Sequence, residues 1–168
     1  GRVDGVIVMS PHEPPRTLEG SLPASLPAVF LNSAPGGTSR PSLSVDNRGG
    51  ARSMTAHLLA LGHRRVAFVT GPSSNFDAAE RRRGFHDALR AARLAVGEAV
   101  EVAGDFSEES GERAGETIAR LSPRPTAVFA ANDSMAIGAL FAIRRAGLAV
   151  PDDVAVAGFD DIPVARFA

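Results

Sequence analysis

The sequence predicts an α/β fold, a doubly wound and mostly parallel sheet, on three observations. Short apolar runs recur at 3–9, 27–31, 65–70, 99–102, 126–130 and 154–157. Several are continuous rather than alternating, as in strands covered on both faces. Segments of helical period separate the later runs, and a repeated β-α unit with right-handed crossovers builds a parallel sheet.

In chain order, the first residues enter an apolar run directly at Gly1-Arg-Val-Asp-Gly-Val-Ile-Val-Met9. This start reads as that of a fragment. Between residues 10 and 45, Pro11, Pro14, Pro15, Pro23 and Pro35, with Gly36-Gly37, permit short strands and loops but no long helix. The regular unit therefore starts near Asp46, and a boundary falls near 42–47. Ala51, Met54, Leu58 and Leu61 mark a first helix that stops at Gly62, a residue suited to the left-handed position after a helix. Phe85, Ala88, Leu89 and Ala92 mark a second. Gly111, Ala114, Ile118 and Leu121 mark a third, capped by Ser107 and carrying Glu108 and Glu109 in its first turn. A fourth spans 134–146 and ends at Gly147, with Pro151 just beyond.

Composition excludes several chemistries. The 168 residues are 44% hydrophobic with a formal net charge of -1, which suits a globular chain and not a basic nucleic-acid-binding surface. Cysteine is absent, so there are no disulfides, thiolate nucleophiles or cysteine-ligated metals. All 18 basic residues are arginine, which rules out a lysine Schiff base and a P-loop lysine. With no tryptophan or tyrosine, aromatic stacking falls to nine phenylalanines. The four histidines, His12, His57, His63 and His86, have neither a paired nucleophile nor metal-ligand spacing. Neither an enzyme nor a metal or cofactor protein is expected.

Polar and aromatic residues gather where predicted strands end. Asn75-Phe76-Asp77, Asp105-Phe106, Asn132-Asp133 and Phe159-Asp160-Asp161 each follow one. In a parallel sheet those loops share the carboxyl edge, where ligands bind. One of Asn132 and Asp133 is expected to cap the next helix and the other to remain free. Arg81 shares a helix face with Phe85 and Ala88 and is placed in that helix's first turn, where a cation opposes the dipole. It therefore calls for a carboxylate such as Asp160 or for a polar ligand. A structural Arg81–Asp160 pair without a ligand is the competing reading. Phenylalanine beside Asn, Asp and Arg suits a sugar or nucleoside, with planar groups for the hydroxyls and an apolar face for the ring.

Helix 134–146 is apolar nearly all round. One stripe suffices to pack on a sheet, so the surplus predicts a second buried face, in a dimer through Met135, Ile137, Leu140 and Phe141 or against a neighbouring helix of the same chain.

Val45-Asp46-Asn47, His57-Leu58-Leu59-Ala-Leu61-Gly62-His63, Gly71-Pro72, Arg81-Arg-Arg-Gly84-Phe85, Pro125-Thr-Ala-Val-Phe-Ala-Ala-Asn132-Asp133, Gly147-Leu-Ala-Val-Pro151 and Gly158-Phe-Asp160-Asp161 occur in an order and spacing that resembles the effector-binding domain of LacI/GalR-family transcription regulators. The match is dense over 42–168 and looser before it. The resemblance implies a periplasmic-binding-protein-like fold of type I, with residues 1–44 a remnant of the N-terminal effector-binding subdomain, 45–161 the C-terminal subdomain, nearly complete, and 162–168 the start of the crossover back. Strand crossings are implied near 42–46 and after Asp160. Ligand contacts carry over to Asn75, Asp77, Arg81, Phe106, Asn132 and Asp160, with Phe76, Phe159 and Asp46 as further candidates and Asn47 and Asp46 also able to cap a helix. The implied partners are a small-molecule effector, a sugar or nucleoside, and a second copy of the chain, with DNA contacted only through a headpiece absent from these residues. That protein would be a cytoplasmic regulator without a membrane partner. A solute-binding protein for ABC-type sugar transport shares the fold and is the alternative.

Overall fold

In the computed structural model, residues 3–9, 15–33, 37–96 and 99–168 are described. Pro11, His12, Pro14, Pro35 and Gly36 lie outside them. The chain divides into two compact units, residues 1–46 with 74–77, and residues 47–73 with 78–168.

The first unit holds a parallel sheet of β1 (Val6–Met9), β2 (Ala28–Leu31) and β3 (Ser42–Leu43), in that order, with helix α1 (Pro15–Gly20) between the first two strands. Val6 pairs with Ala28 and Leu31 with Leu43. Alternation is clear on β2, where Ala28 and Phe30 are buried and Val29 is exposed. The first apolar run begins at Val3, but pairing begins only at Val6. β3 is absent from the apolar runs expected as strands, since two residues carry no period. Arg40 closes this unit, donating through Nη2 to the Pro23 carbonyl at 2.9 Å and through Nη1 to that of Leu26.

The second unit is a four-stranded parallel sheet in the order β5-β4-β6-β7, formed by β4 (Val66–Thr70), β5 (Val100–Ala103), β6 (Ala127–Ala130) and β7 (Ala155–Ala157). Four helices accompany it: α2 (Asn47–Ala60), α3 (Phe76–Ala91), α4 (Glu108–Ala119) and α5 (Asp133–Arg145). Right-handed crossovers place α3 on one face and α4 and α5 on the other, and α2 packs beside α3, where a Cβ at residue 84 would collide with the Arg48 backbone. Central strands β4 and β6 are accordingly buried on both sides, which explains their unbroken apolar sequence. Phe68 stacks on Phe85 of α3 with ring centroids 4.9 Å apart, and Phe129 lies 5.3 Å from Phe68. These three rings, all fully buried, anchor the core.

The punctuation expected of the helices is present. Ser107 caps α4 by accepting from the Ser110 N–H, and Gly62 and Gly147 adopt φ of +99° and +83° after α2 and α5. Helix α3 is longer than its apolar pattern, because its polar first turn already begins at Phe76. Arg81 thus stands in the second turn, beyond most of the dipole's reach, and the expected dipole conflict does not arise.

Helices α2 and α3 are tied by Arg48 Nε, which donates to Asp87 at 2.5 Å, while Arg90 reaches the same carboxylate at 2.5 Å. These bonds lower the Asp87 pKa from 3.8 to about 2. A carboxyl whose folded pKa is depressed stabilises the fold above its unfolded pKa and loses that contribution as pH falls through the folded value. Asp87→Asn is therefore expected to flatten the stability profile of the chain between about pH 4 and pH 2, read by urea unfolding. An acid limb as steep as in the wild type would exclude Asp87 as a contributor.

The apolar excess of α5 is largely absorbed within the chain. A Cβ at residue 138 would collide with the backbone of Glu108, and one at residue 111 with that of Met135, so α4 and α5 meet at glycines on both sides. Met135 and Leu140, expected at a dimer interface, are instead buried, Met135 completely. Close approach of α4 turns that face inward. Ile137 is half-buried, and Phe141 is 49% exposed on the remaining stripe.

Candidate ligand site at the carboxyl edge of the sheet

Arg81 is the hub of the site. Its side chain is buried, and its polar atoms point in three directions. Nε donates to Asn47 Oδ1 at 2.8 Å, Nη1 to the Ala131 carbonyl at 2.5 Å, and Nη2 pairs with Asp160 Oδ1 at 3.0 Å. The guanidinium carbon lies 3.9 Å from the centroid of the Phe159 ring. One side chain thus connects the start of α2, the end of β6 and the loop after β7. Only a planar fork of donors can do this, which is why arginine and not lysine suits the position.

Asp160 is held less comfortably. Its φ is +107° and the following Asp161 has φ +56°, so two consecutive non-glycine residues occupy the positive-φ region. Burial raises the Asp160 carboxyl above its ordinary pKa, the Arg81 charge and hydrogen bond offset this in part, and the nearby Asp133 carboxylate pushes it further up. Loss of solvation therefore outweighs the ion pair. By linkage, the group favours the folded chain at low pH and loses that contribution as pH rises through its folded pKa, the reverse of Asp87.

Asn132 is the helix cap of α5, its Oδ1 accepting from the Met135 N–H at 3.0 Å, while Nδ2 donates to the Phe106 carbonyl at 3.0 Å. Asp133 is not left free. Its Oδ2 accepts from the Ile162 N–H at 2.8 Å. The expectation of one cap and one free group is corrected: the second side chain is taken by the backbone of the next loop. Phe106, half-buried with φ +73°, rests on Gly71, where a Cβ would fall 2.5 Å from its ring. The neighbouring Asp105 has its pKa lowered to about 2, chiefly by the Ser107 hydroxyl.

The structure thus brings Arg81, Phe106, Asn132, Phe159 and Asp160 to one edge of the second unit. Phe159 spends its ring on Arg81, and a Cβ at residue 50 would fall 2.8 Å from it. Asn75, Phe76, Asp77 and Asp46 belong to the first unit. Within α3, Asp77 lies in the first turn, four residues before Arg81. In sequence, Asn47 and Asp133 read as helix caps or ligand groups, and their roles as long-range acceptors leave no periodic trace.

Other polar clusters are accounted for by pairing. Arg82 Nε binds Glu101 at 2.5 Å, and His86 Nε2 binds the same carboxylate at 2.8 Å. Burial raises the Glu101 pKa, but these two partners outweigh it and the net direction is down. His63 Nδ1 meets Thr126 Oγ1 at 3.0 Å. Among the described residues no cluster of acidic and histidine side chains could hold a metal ion. No helix there is long and apolar enough to cross a membrane.

A doubly wound parallel sheet with polar groups collected on its carboxyl edge defines a ligand-binding domain of the periplasmic binding protein-like class, and residues 55–168 match that family. The HTH-type transcriptional regulator CelR of Thermobifida fusca is 38% identical over 99% of this chain and 49% of its own length. The ribose operon repressor of Escherichia coli is 35% identical over 99% of this chain and 51% of its own. A solved CelR–cellobiose complex superposes with a TM-score of 0.85 at 36% identity, over 99% of this chain and 51% of that one. The chain belongs to the periplasmic binding protein-like family, among the effector-binding domains of LacI-type transcriptional regulators. It spans about half the length of these relatives.

Proposed function

We propose that this chain is the effector-sensing and dimerising part of a cytoplasmic LacI-type transcription regulator, and that its effector is a neutral hydroxylated molecule, a sugar or nucleoside. In this reading residues 1–44 belong to the N-terminal effector subdomain, 45–161 to the C-terminal subdomain and 162–168 to the return crossing. DNA contact falls to a headpiece outside these residues, and no catalysis is assigned. The observation that carries the proposal is Asp160. Its carboxylate sits in a positive-φ turn, in surroundings that disfavour its charge even beside Arg81. Such costs are retained where a group has work to do.

Arg81 and Asp160 form a donor–acceptor pair in contact at 3.0 Å whose chemistry suits hydroxyls, and Phe106 supplies an apolar face. Asn132 keeps one amide hydrogen beyond its two bonds. Asn75, Phe76 and Asp77 remain in the set through their position after a strand together with the family resemblance, and Asp46 through the resemblance. The names of the relatives, a ribose operon repressor and a regulator complexed with cellobiose, support a sugar. A thermal-shift screen of neutral sugars, nucleosides and sugar phosphates on the chain tests the class. Neutral sugars are expected to raise Tm and phosphates to leave it unchanged; stabilisation by phosphates alone would reject the proposal.

For the dimer, half-buried Ile137 and exposed Phe141 form the apolar stripe of α5 that remains partly open. Val164 and Phe167, 51% and 87% exposed, add apolar surface on the 3-10 turn Pro163–Phe167. Sedimentation velocity is expected to show concentration-dependent association of the wild type that Ile137→Arg abolishes. Two equally monomeric samples would remove the dimer from the proposal.

A further inference from the structure

Asp133 touches no candidate ligand atom, yet the loop that carries Phe159 and Asp160 closes on it. The residue opens α5 and is buried. Its backbone N–H donates to the Phe159 carbonyl at 2.9 Å, and its Oδ2 accepts from the Ile162 N–H at 2.8 Å. A Cβ at residue 158 would collide with its Oδ1, so the chain passes Gly158 in contact with the carboxylate. Residues 158, 159 and 162 are thus all registered against one side chain and its own amide. Between them lie Asp160 and Asp161, both at positive φ. Such a turn persists only where its surroundings over-determine it, and Asp133 supplies the determination.

A plainer role is available, since an acid in the first helical turn complements the dipole. That role needs no buried side chain and no bond to an N–H outside the helix. Asp133 has both.

We infer that Asp133 is the positioning residue of the ligand site, clamping the 158–162 loop so that Asp160 meets Arg81 and Phe159 lies on the guanidinium, and fixing where the chain departs toward Pro163. Its functional consequence rests on the sugar-site reading above, whereas the clamp itself does not.

The test uses the whole chain and begins without ligand. In Asp133→Ala, amide exchange at Ile162 should accelerate at least tenfold while Val128 and Phe129 in β6 keep their protection. Asp133→Asn retains an acceptor oxygen and should restore it. Removing the charge in Asp133→Asn should also lower the pH at which the Asp160 carboxyl titrates by NMR, a change that packing alone would not produce. With cellobiose as the calorimetric probe, Asp133→Ala should bind at least tenfold more weakly than wild type and Asp133→Asn within about threefold. Should Asp133→Ala not fold, Gly158→Ala pushes the loop off the carboxylate from the other side and should show the same loss of Ile162 protection. Unchanged exchange at Ile162 in whichever of these variants folds overturns the clamp, and unchanged cellobiose affinity with Ile162 exposed overturns the positioning role. If wild-type protein does not bind cellobiose, that sugar reading fails, and the exchange and titration results still decide the clamp.

Discussion

Gly138→Val is expected to destabilise the second unit by about 3 kcal/mol or more, at the upper end for overpacking. The new side chain would meet the Glu108 carbonyl and lie 2.8 Å from the Glu112 amide nitrogen at its Cβ alone. Both are backbone atoms of α4, so relief requires the two helices to part, and parting exposes the layer that buries Met135, Ala139 and Ala142. The sign for alanine sharpens the test. On helix propensity, Gly138→Ala should stabilise by about 1 kcal/mol; in this packing it should destabilise. Urea unfolding of both variants decides, and a stabilised Gly138→Ala would contradict the close contact.

Arg81→Ala carries the second large effect. It would remove the buried hydrogen bonds that Arg81 donates to Asn47 Oδ1 and to the Ala131 carbonyl. Each lost bond to a charged donor costs roughly 1.5–3 kcal/mol, giving an expected loss of about 3 kcal/mol. The exposed share of Asp160, 39% for its side chain, earns little further discount or gain. Arg81→Lys should recover less than half of this, because one ammonium cannot serve three acceptors in three directions. Recovery to the wild-type value would show that charge alone matters at this position.

Much of this architecture is legible in the sequence, for physical reasons. Continuous apolar runs mark β4 and β6 because both faces are covered, and Ser107, Gly62 and Gly147 announce helix ends through local chemistry. The Arg81–Asp160 pair follows from a buried-face cation facing a strand-end carboxylate. What escaped is non-local. The facing of Gly111 and Gly138 across α4 and α5 leaves no local mark in sequence, and Met135 and Leu140 read as surplus apolar surface for the same reason. Asp133 reads as a cap or a free group at the ligand edge, since nothing in its neighbours says that the Ile162 amide returns to it.

Asp160 separates folding from recognition better than Arg81 does. Its carboxylate is partly exposed and its charge is disfavoured in the ligand-free chain, so Asp160→Asn should change stability by less than about 1 kcal/mol. Removing the charged acceptor should nonetheless cost on the order of 2 kcal/mol in binding hydroxyls, more than tenfold in affinity. The decisive measurement is a calorimetric titration with cellobiose of the wild type and Asp160→Asn, after urea unfolding has established that both are equally folded. The site described here predicts a loss of at least tenfold in the variant; equal affinities would mean that the Arg81–Asp160 pair is a structural tie and that the ligand binds elsewhere.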